Sequence, residues 1–285
     1  MPQLSYEAQR DVSLPLRDMV GATVLGLSEG SSGVIPKLHP RPIRPPAHTE
    51  VPDDSGLETA APNRPRGHHR AEFPGVGANG YAPPDTNGAA GTTQYVQWVN
   101  VNFAVYDKAT GARILGPTPG NALWSGFGGP CEASNDGDPI AQFDKAAKRW
   151  VMAQPVYSSP FMYCVAVSIT EDATGSYHRY AFSIPSNYFP DYPKLGVWPD
   201  AYYVSANAFN ASGTSFLGAL ACALDRSAML AGNPAIAVCF QKDASVDSLL
   251  PSDLDGSPPP PAGAPATFVH LVSNALNLYR FHVDF

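Results

Sequence analysis

The residues of this chain best suited to chemistry are carboxylates on short loops beside aromatics. Asn135-Asp-Gly-Asp138 sets two acids close together ahead of an alternating apolar segment, and Glu132 lies just upstream. Glycoside hydrolysis uses two carboxyl groups held ~5 Å or ~6.5–9.5 Å apart across the scissile bond. Glu132, Asp136, Asp138, Asp191 and Asp200 are the candidates, most of them within a few residues of a Trp or Tyr that could stack on a sugar. The same oxygens suit a hard cation. Asp85-Thr-Asn-Gly88 opens as short calcium loops do, so Asp85, Asn87, Asp136 and Asp138 are the candidate metal ligands and calcium the cofactor they would take. A complete loop of EF-hand type needs a third oxygen residue and a later Glu at fixed spacing, which neither segment has. The plainer reading is an Asx turn at 85–88 and a hairpin turn at 135–138, their side chains capping backbone N–H groups.

Other reactive arrangements are weaker. Trp124-Ser-Gly-Phe-Gly128 lacks the first glycine and the following helix of a nucleophile elbow. Gly75-Val-Gly-Ala-Asn-Gly80 has dinucleotide-loop spacing, yet it follows no strand and runs into Ala82-Pro-Pro84, which cannot open a helix. His39, His48, His68 and His69 fall in a proline-rich stretch without carboxylate or Cys partners at ligand spacing and read as linker histidines. Trp124, Trp198 and Tyr203 are the candidates for a ligand-binding surface, against a default of strand packing for Trp98, Trp124, Trp150 and Trp198.

These residues need elements to hold them, and aromatic usage shows where those elements start. Of thirty aromatics, only Tyr6 and Phe73 lie in the first eighty positions, which also carry eleven of the 30 prolines. Fixed φ and missing donors stop helix and ladder alike, so residues 1–72 read as an extended, mostly disordered leader and 73–285 as the folded domain. From residue 81 on, short alternating runs rich in Val, Tyr, Phe and Trp are separated by Gly, Asn, Asp or Pro, an all-β pattern. Strands are predicted over 95–100, 102–107, 112–115, 139–144, 149–154, 163–168, 177–182, 193–198, 201–205, 215–222, 235–240, 267–272 and 276–285. One short helix is expected over 226–231, capped by Asp225 and stopped by Gly232. Four strands recur in about 45 residues, the period of a propeller blade. The expected architecture is a β-propeller, about four blades of a larger ring, with a proline-rich arm. A last strand with nothing to cover its edge suggests a domain cut short at its C-terminal end.

Charge and cysteines bound the setting. A net charge of -7 disfavours nucleic acid, whose phosphates demand clustered Lys and Arg, and no run of ~20 apolar residues is present to span a membrane. Cys131, Cys164, Cys222 and Cys239 form no C-x-x-C and have no His at zinc spacing. Pairing neighbours in sequence gives Cys131–Cys164 and Cys222–Cys239, the favoured alternative to four buried thiols. Disulfides imply an oxidising compartment, so a secreted or cell-surface location is expected although the first ten residues show no signal-peptide pattern.

Several segments carry a family likeness: Ala82-Pro-Pro-Asp-Thr-Asn-Gly88, Tyr95-Val-Gln97, Trp124-Ser-Gly-Phe-Gly-Gly-Pro-Cys131, Asn135-Asp-Gly-Asp-Pro139, Arg149-Trp150 and Asp191-Tyr-Pro-Lys-Leu-Gly-Val-Trp-Pro-Asp200. Over 73–285 the chain resembles a group of secreted, uncharacterised bacterial β-propeller-like proteins, of which it would be an amino-terminal fragment. The resemblance implies export and a sialidase-like propeller scaffold, and carries no activity. The Ser-x-Asp-x-Gly-x-x-Trp box of sialidase-like blades is missing, and Arg113, Arg149, Arg179, Arg226 and Arg280 do not group as a substrate-carboxylate clamp. The expected function is therefore an extracellular scaffold binding a glycan or a cell-surface protein. The alternative is a secreted glycoside hydrolase or sialidase-like enzyme using the acidic loops.

Overall fold

The computed structural model describes residues 2–23, 72–78, 80–81, 83–256 and 258–285. The leader histidines at 39, 48, 68 and 69 lie outside them. The chain is all-β, as its alternation and turn punctuation predict. Among the described residues three antiparallel sheets form. The first is a meander of β2 (Thr86–Ala90), β3 (Gln94–Val99), β4 (Asn102–Asp107) and β5 (Arg113–Pro119). The second joins two meanders: β6 (Ile140–Asp144), β7 (Arg149–Val156), β8 (Met162–Ser168) and β9 (Tyr177–Ser183), then β10 (Phe189–Val197), β11 (Ala201–Phe209), β12 (Phe216–Asp225) and β13 (Ile236–Gln241). The third holds β14 (Leu250–Pro251), β15 (Ala266–Val272) and β16 (Ala275–Phe281).

The strand that makes two meanders into one nine-strand sheet is β1 (Gln3–Val12), which pairs with β13 along Gln3–Tyr6 and with β9 along Glu7–Val12. This corrects the reading of the leader as neither helix nor sheet. Prolines thin the leader unevenly, and residues 3–12 contain none. One ladder holds each half of β1, and its apolar side chains do not enter a core: Leu4 and Tyr6 are exposed. Asp11 anchors its far end, both carboxylate oxygens accepting from the buried Arg179 guanidinium at 2.8 and 2.6 Å. After Pro15 the chain forms α1 (Leu16–Thr23), whose Leu16, Met19 and Val20 enter the core.

At the other end of this sheet β6 and β10 lie side by side, Gln142 Nε2 donating to Leu195 O at 3.4 Å. The result is a nearly closed, barrel-like sheet rather than the row of separate four-strand blades expected, and the last unit has three strands instead of four.

The sheets stack through apolar faces. β7 and β8 are buried on both sides, one set of alternate residues (Met152, Cys164, Ala166) meeting the first sheet and the other (Val151, Val165, Val167) facing β10–β13. Double burial explains why these strands read as nearly continuous apolar runs. A third cluster, with Tyr203, Ala221 and Phe268, seats the three-stranded sheet on β11 and β12. The predicted helix forms as α3 (Arg226–Ala231): Asp225 accepts from Ala228 N at 2.9 Å, and Gly232 ends it with φ 72°.

Both expected disulfides are present. Cys222 and Cys239 face each other across β12 and β13, and Cys131 ties the short α2 (Gly129–Ala133) to Cys164 of β8.

Candidate functional site

Three strand entrances converge on a polar cleft of about 390 Å³, which gathers Asp85 and Asn87 at the start of β2, Asp138 before β6, and Tyr192 and Lys194 in β10. Local backbone chemistry fixes each wall. Asn100, in the left-handed region at φ 49°, donates through Nδ2 to Pro83 O at 2.9 Å and through its backbone N–H to Asp85 O at 3.1 Å, pinning the approach to β2. Asn87 Oδ1 accepts from Ala141 N at 2.7 Å, which fastens β2 to β6. In β10 the ladder slips between Asp191 and Lys194, and Tyr192 takes φ 54° at the slip. That bulge turns the Tyr192 ring outward, 37% exposed, with Lys194 Nζ 3.6 Å from its centroid.

Tyr157 forms the floor behind the acidic wall. Its backbone N–H donates to Asp136 Oδ2 at 2.8 Å, its hydroxyl donates to Asp138 Oδ2 at 2.6 Å, and its ring stacks on Phe189 at 4.7 Å. Burial first, then the nearby Asp138, Asp191 and Asp136 charges, hold the Tyr157 phenol far above its ordinary range. It stays a neutral donor at any physiological pH. Asp136 and Asp138 from one loop and Asp191 from β10 thus flank one tyrosine.

The structure places the predicted residues unequally. Asp85, Asn87 and Asp138 share the cleft, and Asp136 and Asp191 lie behind it. Glu132 does other work: its two carboxylate oxygens accept from Gly126 N at 2.8 Å and Gly128 N at 2.6 Å, clamping a loop of left-handed glycines. Asp200 accepts from Tyr203 OH at 2.8 Å and meets His282 Nδ1 at 3.0 Å, in a cluster on the three-stranded sheet. Trp124 and Tyr203 are wholly buried, which corrects their assignment to a ligand surface. Trp198 is partly buried on that sheet's core, its indole N–H donating to Ala264 O at 2.8 Å.

Among the described residues no group of three or more His, Cys, Asp or Glu is placed to hold a metal ion. Asn87 Oδ1, Asp136 Oδ2 and Asp138 Oδ2 accept from the Ala141 N–H, the Tyr157 N–H and the Tyr157 hydroxyl. Tyr192, Lys194 and Tyr157 escaped the sequence reading. The signal for the first two was proline on both sides of Asp191-Tyr192, since proline inside a strand marks a bulge or an edge.

Among the described residues no helix is long and apolar enough to cross a membrane. No protein-family model, curated protein or solved structure matches the chain.

Proposed function

We propose that this chain is a non-enzymatic binding scaffold of β-propeller type that works outside the cell and takes a glycan in the cleft around Tyr192. The propeller reading draws support from the order of inner strands. β2 neighbours β6 through Asn87, β6 neighbours β10 through Gln142, and β10 neighbours the third sheet, where Val197 O accepts from Leu254 N at 3.2 Å. Each meander then runs outward from that inner row, as blades do about an axis. The likeness of its motifs to secreted bacterial propeller-like proteins supports the same reading, and two disulfides suit an oxidising compartment.

The observation that carries the glycan assignment is the exposed Tyr192 ring set beside Lys194 and the carboxylates of Asp85 and Asp138 in one cleft. A sugar presents C–H faces and hydroxyls together. An aromatic ring takes the first, and carboxylate acceptors with an ammonium donor take the second. The hydrolase alternative is weaker because Glu132 is spent on backbone N–H groups and Asp136 and Asp138 both bond to Tyr157.

A glycan array followed by calorimetric titration of the best oligosaccharide tests the reading. Tyr192→Ala and Lys194→Ala are each expected to weaken binding at least tenfold with the melting temperature unchanged. An array without hits, or affinity indifferent to both substitutions, overturns it. Turnover of 4-nitrophenyl glycosides that disappears in Asp138→Ala would establish the hydrolase instead.

A further inference from the structure

Sheet edges in this molecule are treated in two ways. β9 and β13, the outer strands of their meanders, are both covered by β1, which arrives from a distant part of the chain. β16 is the outer strand of a sheet of three, and among the described residues it pairs with β15 alone. The place where a fourth strand would lie, beside β16 and above β13, is a groove of about 300 Å³.

The groove differs from its counterpart one layer earlier. There β9 presents Tyr180 and Phe182 to β13 across the filled interior, and they are 1% and 3% exposed. Here β13 presents Phe240 towards the third sheet and it is 38% exposed, touched by Phe281 at 5.2 Å between ring centroids. Phe268 and Tyr279 complete an aromatic floor, while Lys242 and Arg280 bring positive charge to the rim, Lys242 Nζ lying 4.9 Å over the Tyr279 ring. His282 at the same rim is engaged by Asp200 at 3.0 Å and Asp284 at 3.3 Å.

We infer that β16 and this groove form a strand-addition site for an extended peptide of a partner protein, one carrying an aromatic or large aliphatic side chain flanked by acidic residues. An added strand supplies backbone partners to the alternate residues of β16 whose N–H and C=O groups face away from β15, and its own alternate side chains point down between Phe240 and Tyr279. The acidic preference follows from Lys242 and Arg280. The site shares no residue with the Tyr192 cleft and does not depend on a glycan.

The test uses the full 285-residue chain. A random decapeptide display library is selected against it with the Phe240→Glu variant as counter-target, and the leading peptide is synthesised both plain and N-methylated at alternate amides. The expected peptides combine a central aromatic or aliphatic residue with Asp or Glu. Affinity should fall at least tenfold in Phe240→Glu and in Lys242→Glu, and the N-methylated peptide should not bind, with slowed amide exchange confined to β16 in the complex. Failure to enrich peptides that distinguish the two proteins overturns the inference, as does equal binding of the methylated form. A dimer in sedimentation equilibrium that Phe240→Glu dissociates overturns it too, by assigning the groove to a second copy of the chain. N-methylation alters only the peptide, so that comparison holds even if Phe240→Glu perturbs the fold.

Discussion

Replacing Asp144 with Ala should cost this fold about 3–5 kcal/mol, the range for breaking a buried ion pair by removing one partner. Asp144 closes β6 and is wholly buried, and four donors converge on it. Arg226 Nε and Nη2 reach it at 2.7 and 3.1 Å, Tyr202 OH at 3.0 Å, and the Ala147 N–H at 2.9 Å. The pair spans the interior of the barrel-like sheet, from the end of β6 to α3 and β11. Burial first, then the Asp144 charge, pushes the Tyr202 phenol well above its ordinary range, so Tyr202 is a fixed donor. Truncation therefore strands a guanidinium that is only 15% exposed together with a buried hydroxyl. For a domain of this size the loss corresponds to a fall in melting temperature of roughly 6–15 °C, read by calorimetry or circular dichroism. The instructive comparison is Asp144→Leu/Tyr202→Phe/Arg226→Leu, which removes both side-chain groups that the single change leaves unpaired and leaves only the Ala147 N–H without its acceptor. It should recover most of the loss, because an apolar replacement of a buried pair is often neutral or stabilising. A fall of under ~2 °C in Asp144→Ala, or a triple variant no better than the single one, would refute the reasoning.

The disulfides should each hold the fold by an amount set by loop length. Separations of 33 and 17 residues correspond to about 3.7 kcal/mol for Cys131–Cys164 and about 3.1 kcal/mol for Cys222–Cys239 in the chain-entropy account. Paired Cys→Ser variants compared by urea denaturation check this, and a loss below ~1 kcal/mol for either would show that the unfolded chain does not set its contribution. Acid should weaken the fold through His178, whose affinity for a proton is lowered by burial and then by Arg149. A native pKa below the ordinary 6.5 means that the unfolded chain binds the proton first, so stability is full above about pH 6.5 and falls as pH drops below it. His178→Gln should flatten that slope in melting temperature against pH, and an unchanged slope would assign it to other groups.

Much of the architecture was legible because its elements are locally determined. Tyr177–Ser183 and Ala201–Phe209 announce themselves by β-branched and aromatic content, and Asp225 with Gly232 brackets α3 through cap chemistry that a sequence states outright. The turn between β6 and β7 is of the same kind: Asp144 caps Ala147 and Lys148 takes φ 54°. What escaped was set by tertiary pairing. β2, Thr86–Ala90, is made of small and polar residues and reads as a turn. Its Gly88 is needed because a Cβ there would stand 2.6 Å from Val96 O, a constraint that exists only once β3 lies alongside. β1 escaped for another reason: Leu4-Ser-Tyr6-Glu-Ala8 does alternate, but its apolar side chains are the exposed ones, and the strands that hold it, β9 and β13, lie far along the chain.

The same distinction governs the candidate site. Single loops identified Asp85, Asn87, Asp136 and Asp138 as oxygen-rich, and their chemistry as turns, acids or ligands looked alike from spacing alone. Partners far off in sequence separate these roles. Asn87 is claimed by Ala141 and the acids at 136 and 138 by Tyr157, whereas Glu132 is claimed by its own loop. Aromatic residues divide in the same way: Trp124 is apolar mass for the core, while Tyr192 faces outward because the β10 ladder slips beneath it. An exposed ring on a bulge, beside a lysine and two carboxylates, is costly to maintain for packing alone, since a left-handed tyrosine carries backbone strain of order 1–3 kcal/mol. A recognition role of the kind proposed predicts that this strain brings no stability in return. Tyr192→Gly should therefore leave the melting temperature level or raised while glycan affinity falls, the opposite of what a purely structural tyrosine would do.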